Sequence, residues 1–352
     1  MTAAPLEFEL PPAREATMPP EARGLGRDHV RLMVAAPDAV THTRFTHLAD
    51  HLRPGDLVVV NDSATLAAAV EGSRGDGSDV TVHFSGPLDG DDDYAVWVVE
   101  LRPGPRADGP ITDAVAGEHL TLPAGARATL LGGYPDGASS STRLWAAHVT
   151  LDRPDLATYL AEHGRPITYS YVDREWPIEA YQTVFARTPG SAEMPSAARP
   201  FTTRVVTDLV AKGVAVAPVT LHTGVSSPEA SEPPIPERYA VPVATADLVN
   251  LTVRRGGRVV AVGTTVTRAL ETVAAADGAL RAGEGVTDLV LGPERPARVV
   301  TGLVTGWHAP GASHLSLLQS VAGADLVRTA YDAALAQGYL WHEFGDSCLL
   351  LP

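Results

Sequence analysis

Four apolar residues, Val259 to Val262, follow Arg258 and run straight into Gly263. An uninterrupted apolar run of this length reads as a buried strand. After Gly263-Thr264-Thr265, apolar side chains recur at helical spacing at Val266, Ala269, Leu270 and Val273. Strand, tight turn, helix is the unit that leaves free backbone N–H groups at a helix N-terminus, where an anionic or polar ligand can sit. The same pattern also fits an ordinary turn whose threonines cap the helix. Arg268 and Glu271 fall one turn apart on one side of this helix. Similar apolar runs predict strands over residues 30–34, 57–60, 214–221, 288–291, 299–304 and 348–351. Helical spacing covers residues 45–52, 203–212, 314–321 and 324–337. A further helix is predicted from a cap at Asp152 to His163, with Pro154 in its first turn and Gly164 at its end.

The character of the chain changes between residues 64 and 150. Short alternating runs at 80–84, 94–101, 119–122, 126–131 and 143–149 are separated by Gly, Asp, Ser and Pro segments. Closely spaced strands of period two predict an antiparallel barrel or sandwich. The acidic run Asp89-Gly90-Asp91-Asp92-Asp93 reads as a solvated hairpin loop, and residues 226–236 as a surface loop. After residue 150 the pattern is α/β. The strands ending at Leu221, Val262 and Val304 each run into a small polar turn: His222-Thr223-Gly224, Gly263-Thr264-Thr265 and Thr305-Gly306-Trp307-His308. Ligands of open α/β sheets bind at the carboxyl ends of strands, so these turns predict one pocket. Each histidine alone fits a hydrogen-bonded structural residue equally well.

Composition narrows the classes. A 352-residue chain that is 45% hydrophobic and 20% charged is globular and long enough for more than one domain. No basic segment leading into an apolar run opens the chain, and no apolar run approaches the ~20 residues that span a bilayer. Cys348 is the lone cysteine and has no internal disulfide partner. The expectation is a cytoplasmic protein without membrane association. The net charge is −15 and the one lysine is Lys212, so binding a polyanion requires a local arginine cluster.

With these residues in place, the chain resembles the S-adenosylmethionine:tRNA ribosyltransferase-isomerase family of queuosine biosynthesis, as a divergent member. The resemblance rests on an ordered set: Phe8-Glu9-Leu10-Pro11, Pro54-Gly55-Asp56 leading to Asn61-Asp62, Tyr181-Gln182-Thr183-Val184, Ala211-Lys212-Gly213, Val219-Thr220-Leu221-His222, Val260 to Thr265 with Arg268 and Glu271, Trp307-His308 with Pro310, and Gly345-Asp346. It implies an α/β main domain, residues 1–63 and 151–352, with an inserted small antiparallel β-barrel domain over 64–150. It implies S-adenosylmethionine as co-substrate, no metal, and transfer with isomerisation of its ribosyl part onto 7-aminomethyl-7-deazaguanine in tRNA. The product is epoxyqueuosine, and adenine and methionine are released. A monomer is expected.

Within that resemblance His222, His308 and Asp346 are the expected catalytic residues, the histidines because their ordinary pKa suits proton transfer near neutrality. Gly263, Thr264, Thr265, Arg268 and Glu271 are the expected co-substrate residues: the threonines for ribose or carboxylate, Arg268 for a bidentate pair with the methionine carboxylate. Glu271, like Asp346, is assigned to the ammonium or the ribose hydroxyls. The departures fall on the acceptor side. Ser63-Ala64-Thr65-Leu66-Ala67-Ala68-Ala69 stands where the family carries two arginines and a proline, and Pro200 stands where it carries a histidine. The lost arginines and the acidic charge weaken the expectation of tRNA. They keep open two alternatives: an S-adenosylmethionine enzyme with another, small acceptor, and a non-catalytic binding relative.

Overall fold

The strand Leu57–Asn61 is buried at every position. Its side chains alternate between two hydrophobic layers: Leu57 and Val59 face one, Val58 and Val60 the other. Burial on both faces requires a continuous apolar run, which is why this segment and Val259–Val262 show no polar alternation. The structure is a computed structural model that describes residues 6–88, 95–104, 109–140, 142–153, 155–226 and 235–352.

These strands sit at the centre of a nine-stranded mixed sheet. Its order is Gly283–Thr287, Glu237–Val241, Ala215–Leu221, Leu57–Asn61, Val259–Val262, Gly302–Thr305, Ser347–Leu350, Arg31–Ala36 and Ala39–Arg44. The four strands from Ala215–Leu221 to Gly302–Thr305 are parallel. Their carboxyl ends therefore share one edge. The helices Val243–Arg254, Thr264–Val273, His314–Ala322 and Ala324–Gln337 cover one face. The helix Thr203–Ala211 covers the other, through Val205 and Leu209.

Six antiparallel strands close into a barrel in the order Leu144–Thr150, Val96–Arg102, Asp79–Pro87, Ala69–Ser73, His119–Thr121 and Arg127–Gly133. Trp145, Phe84 and Leu101 fill its interior, and Tyr159 and Leu160 of the helix Leu156–His163 join that core. The architecture is thus an α/β main domain with an inserted small antiparallel barrel. Where the chain enters and leaves the barrel, Ser63–Thr65 runs parallel to Thr188–Ser191 as a separate two-stranded sheet, and Ala69 of the barrel bridges to Arg165.

Several local expectations are corrected. The helix ending at His163 is capped by Asp155, whose carboxylate accepts from the Thr158 N–H, and not by Asp152; Pro154 lies outside the described residues. The apolar run 288–291 is not a strand. The strand is the preceding Gly283–Thr287, hidden by its glycines because it is an edge strand held mainly by backbone pairing to Glu237–Val241. The run 299–304 becomes the strand Gly302–Thr305, since the N–H groups of Val299 and Val300 donate to the Glu271 carboxylate. The segment after Arg44 is a 3-10 helix, Phe45–His51. The acidic run 89–93 lies outside the described residues, as does most of the 226–236 loop.

Candidate active site

The shared carboxyl edge of the parallel strands is locked by one amide. Asn61 is fully buried. Its Nδ2 donates to the Leu221 carbonyl at 2.8 Å and to Thr265 Oγ1 at 3.4 Å. Its Oδ1 accepts from the N–H of Leu221 at 3.0 Å and of Ser63 at 3.1 Å. Two strand ends and the first turn of a helix are thereby registered at atomic distance.

From that edge the helix Thr264–Val273 begins. Gly263 precedes it at φ 92°, a left-handed conformation that other residues resist, and a Cβ there would lie 3.3 Å from Ala197 Cβ. No side chain caps this N-terminus. The threonines are therefore not caps, contrary to the simpler sequence reading; Thr265 instead accepts from Asn61. The first N–H groups of the helix face the mouth of a cavity of about 420 Å³, which Gly263, Thr264 and Thr265 line.

His308 and His314 stand in the same cavity with parallel rings, centroids 4.6 Å apart. His308 Nε2 lies 3.1 Å from Thr305 Oγ1. Burial, then the charges of His314 and His342, push the His308 pKa well below its usual value, and burial takes His314 to about 4. Both rings are neutral near pH 7. They serve as hydrogen-bonding groups or as bases, not as acids. Leu289, Leu291 and Leu317 add apolar wall.

The opposite wall is aromatic and acidic. Tyr171 stacks on His342 at 4.1 Å and lies 6.0 Å from Tyr169. The Tyr169 hydroxyl donates to Glu193, and the Tyr171 hydroxyl to Glu343. Burial raises the pKa of Glu193, and raises that of Glu343 to about 7, with Glu193's charge adding to the second. His342 is held at φ 70°, rare for a residue with a Cβ. None of these five residues is marked by sequence. They lie in coil, outside any periodic element, and only the Tyr169-Ser170-Tyr171 doublet offers a faint signal.

The model of a family described as queuosine biosynthesis protein matches residues 3–350. The chain belongs to this family. An S-adenosylmethionine:tRNA ribosyltransferase-isomerase of Symbiobacterium thermophilum is 36% identical over 361 residues, covering 100% of each chain. One from Moorella thermoacetica is 34% identical and covers 98% of each. Among solved structures, the S-adenosylmethionine tRNA ribosyltransferase of Thermotoga maritima superposes with a TM-score of 0.52 at 29% identity, covering 98% of this chain and 99% of that one.

The residues expected from the queuosine family pattern divide into two groups. Gly263, Thr264, Thr265, Arg268 and His308 come together on the large cavity. Arg268, however, is already paired: its guanidinium donates to Glu237 and to the carbonyls of Leu289, Thr287 and Ile235. These bonds fix the cavity wall and engage all three guanidinium nitrogens, so a ligand carboxylate would meet an arginine already held in place. Glu271 and Asp346 do not line the cavity. Glu271 accepts from three successive backbone N–H groups, Arg298 to Val300, at 2.8 to 3.0 Å. Asp346 binds Arg31 through its backbone and guanidinium, and the Leu340 N–H. Both carboxylates brace the fold beneath the site.

His222 lines a second cavity of about 230 Å³, between barrel and sheet, which shares Gly224, Ile235 and Glu237 with the first. Its Nδ1 lies 2.7 Å from Ser63 Oγ, which lies 2.6 Å from Ser191 Oγ. A Cβ at Gly190 would sit 2.4 Å from that ring nitrogen, so only glycine fits there.

Proposed function

We propose that the protein transfers and isomerises the ribosyl part of S-adenosylmethionine onto the aminomethyl group of 7-aminomethyl-7-deazaguanine in tRNA, yielding epoxyqueuosine, adenine and methionine. The whole-length match to enzymes named for this reaction supports it. The observation that carries it to particular residues is the uncapped helix N-terminus opening from the parallel strand ends into the large cavity.

The residues then take roles by chemistry. The N–H groups at Thr264 and Thr265 hold the methionine carboxylate, with the helix dipole behind them. Leu289, Leu291 and Leu317 receive the adenine ring. Neutral His308, oriented by Thr305, is placed to accept a proton. Arg268 acts by keeping Glu237 and the 287–289 backbone in position. With a net charge of −15, tRNA is held by local contacts and not by the overall field.

The test is adenine release from S-adenosylmethionine, followed with and without tRNA bearing the aminomethyl base. Release that depends on that tRNA is the expected result. No release, together with no S-adenosylmethionine binding by calorimetry, overturns the reading.

A further inference from the structure

Glu193 and Glu343 form the least explained feature of the large cavity. Both line it, and among the described residues no basic side chain lies within ion-pair distance of either. Every other acidic group named above at the site has a cation or backbone donors that account for it. Glu343 takes one side-chain donor, Tyr171. Glu193 takes Tyr169 and the N–H and hydroxyl of Ser226. Both are half-buried, and a carboxylate drawn partly out of water without a counter-charge favours the arrival of something positive. A second observation points to the same visitor. The rings of Tyr169, Tyr171 and His342 line the same cavity, with Tyr171 stacked on His342 at 4.1 Å and Tyr169 stacked behind it at 6.0 Å. The wall therefore offers two acceptors for a cation beside a set of flat rings.

We propose that this wall receives the acceptor base, with its primary ammonium between Glu193 and Glu343, and that Glu343 takes a proton from it. The inference rests on the function proposed above and deepens it. The chemical class is a planar heteroaromatic ring bearing a primary amine. In the step, one N–H bond of the ammonium breaks and one O–H bond forms on Glu343. The charges +1 and −1 become zero and zero, and the nitrogen lone pair is freed to bond to the ribosyl carbon.

The groups facing this pair set its proton affinity. Glu343 meets Tyr171, Glu193 and, further off, the Arg199 cation; His342 beside it is tied to Glu15. Glu193 meets Tyr169, Ser226 and, from the barrel, Glu100, with Arg102 over the Tyr169 ring. An alkylammonium titrates at about 10.4. A carboxyl at about 7 stands much closer to it than one at the ordinary 4.5, so proton transfer is less uphill. Glu343 is the catalytic residue here; Tyr171 positions it.

The experiment compares wild type with E343Q, E193Q and Y171F, using adenine release against pH. Two acceptor arms distinguish the source of the ring: tRNA bearing 7-aminomethyl-7-deazaguanine, and the free base. Calorimetry with S-adenosylmethionine checks that each variant retains its fold and its co-substrate site. In E343Q, kcat/KM for the acceptor falls by about 100-fold or more, and the acidic limb of the profile near pH 7 disappears. E193Q raises the acceptor KM by about tenfold. Y171F moves the limb to higher pH, because a hydrogen bond that favours the carboxylate is gone. Turnover in either arm with this dependence supports the subsite, and the productive arm identifies whether nucleic acid or a free base carries the amine. E343Q that binds S-adenosylmethionine and keeps the wild-type rate and limb overturns the inference alone. Should E343Q fail to bind, a Y171F profile identical to wild type overturns it. Wild type inactive in both arms removes the underlying function instead, and the inference falls with it.

Discussion

Glu343 lowers the stability of the fold that holds it. Its pKa is raised from 4.5 to about 7 by burial. Between those values the folded state keeps a proton that the unfolded chain has lost, so stability declines as pH rises through this window and stays lower above it. E343Q removes that penalty. Its gain in melting temperature over wild type is expected to be larger at about pH 8 than at about pH 5, read by calorimetry. Equal gains at both would mean that Glu343 titrates as an ordinary carboxyl. Gly263 makes the opposite case. Gly263→Ala places a Cβ at φ 92° and should cost about 1–2 kcal/mol in denaturant unfolding.

At the level of elements, the site depends on how two strand ends and a helix start are tied, and Asn61 does the tying. Asn61→Ala leaves the Leu221 N–H and carbonyl without their buried partner. A loss of about 2–4 kcal/mol is expected from the urea midpoint, with weakened S-adenosylmethionine binding, because Thr265 loses its anchor. Lost stability with unchanged affinity would separate the amide from the site. Glu271→Gln, by contrast, should lower stability and leave the co-substrate KM alone, since that carboxylate only braces the 298–300 backbone. These elements also mark what sequence could reveal. Apolar runs and the turns after Leu221, Val262 and Val304 are local patterns, so the sheet and one wall of the cavity could be read from them. The acidic wall could not. Tyr171 and Glu343 are 172 residues apart and meet in coil, where no periodicity records a neighbour. The strand Gly283–Thr287 carries no sequence signal for a related reason: its pairing is backbone-made and its side chains carry little of it. The sequence assigns Arg268 and Glu271 to the co-substrate and Asp346 to catalysis; in the fold all three carry internal hydrogen bonds, and residue type alone does not tell a ligand contact from a brace.

Across the whole molecule, the barrel carries its own sensitivity to acid. Burial opposes ionisation of Glu100, yet His83 at 3.4 Å and the hydrogen bonds of Arg102 and Arg143 hold its pKa at about 2. A depressed carboxyl stabilises above its unfolded value and loses that contribution as pH falls toward the folded one. Thermal stability is therefore expected to drop steeply from about pH 5 to about pH 2, and E100Q should destabilise by about 3–5 kcal/mol at neutral pH by removing the buried anion that Arg102 and Arg143 share. The sheet has a different dependence, on order of synthesis. Its strand Arg31–Ala36 pairs with Ser347–Leu350, which also pairs with Gly302–Thr305. The last strand made is thus an interior member of a sheet whose first strands are among the earliest residues to emerge. The barrel's six strands are neighbours in sequence and can assemble while the chain is still being made. The sheet cannot. Arg31–Ala36 has only Ala39–Arg44 beside it until Ser347–Leu350 is made, so its other edge stays open for an interval set by translation speed rather than by any barrier within the fold.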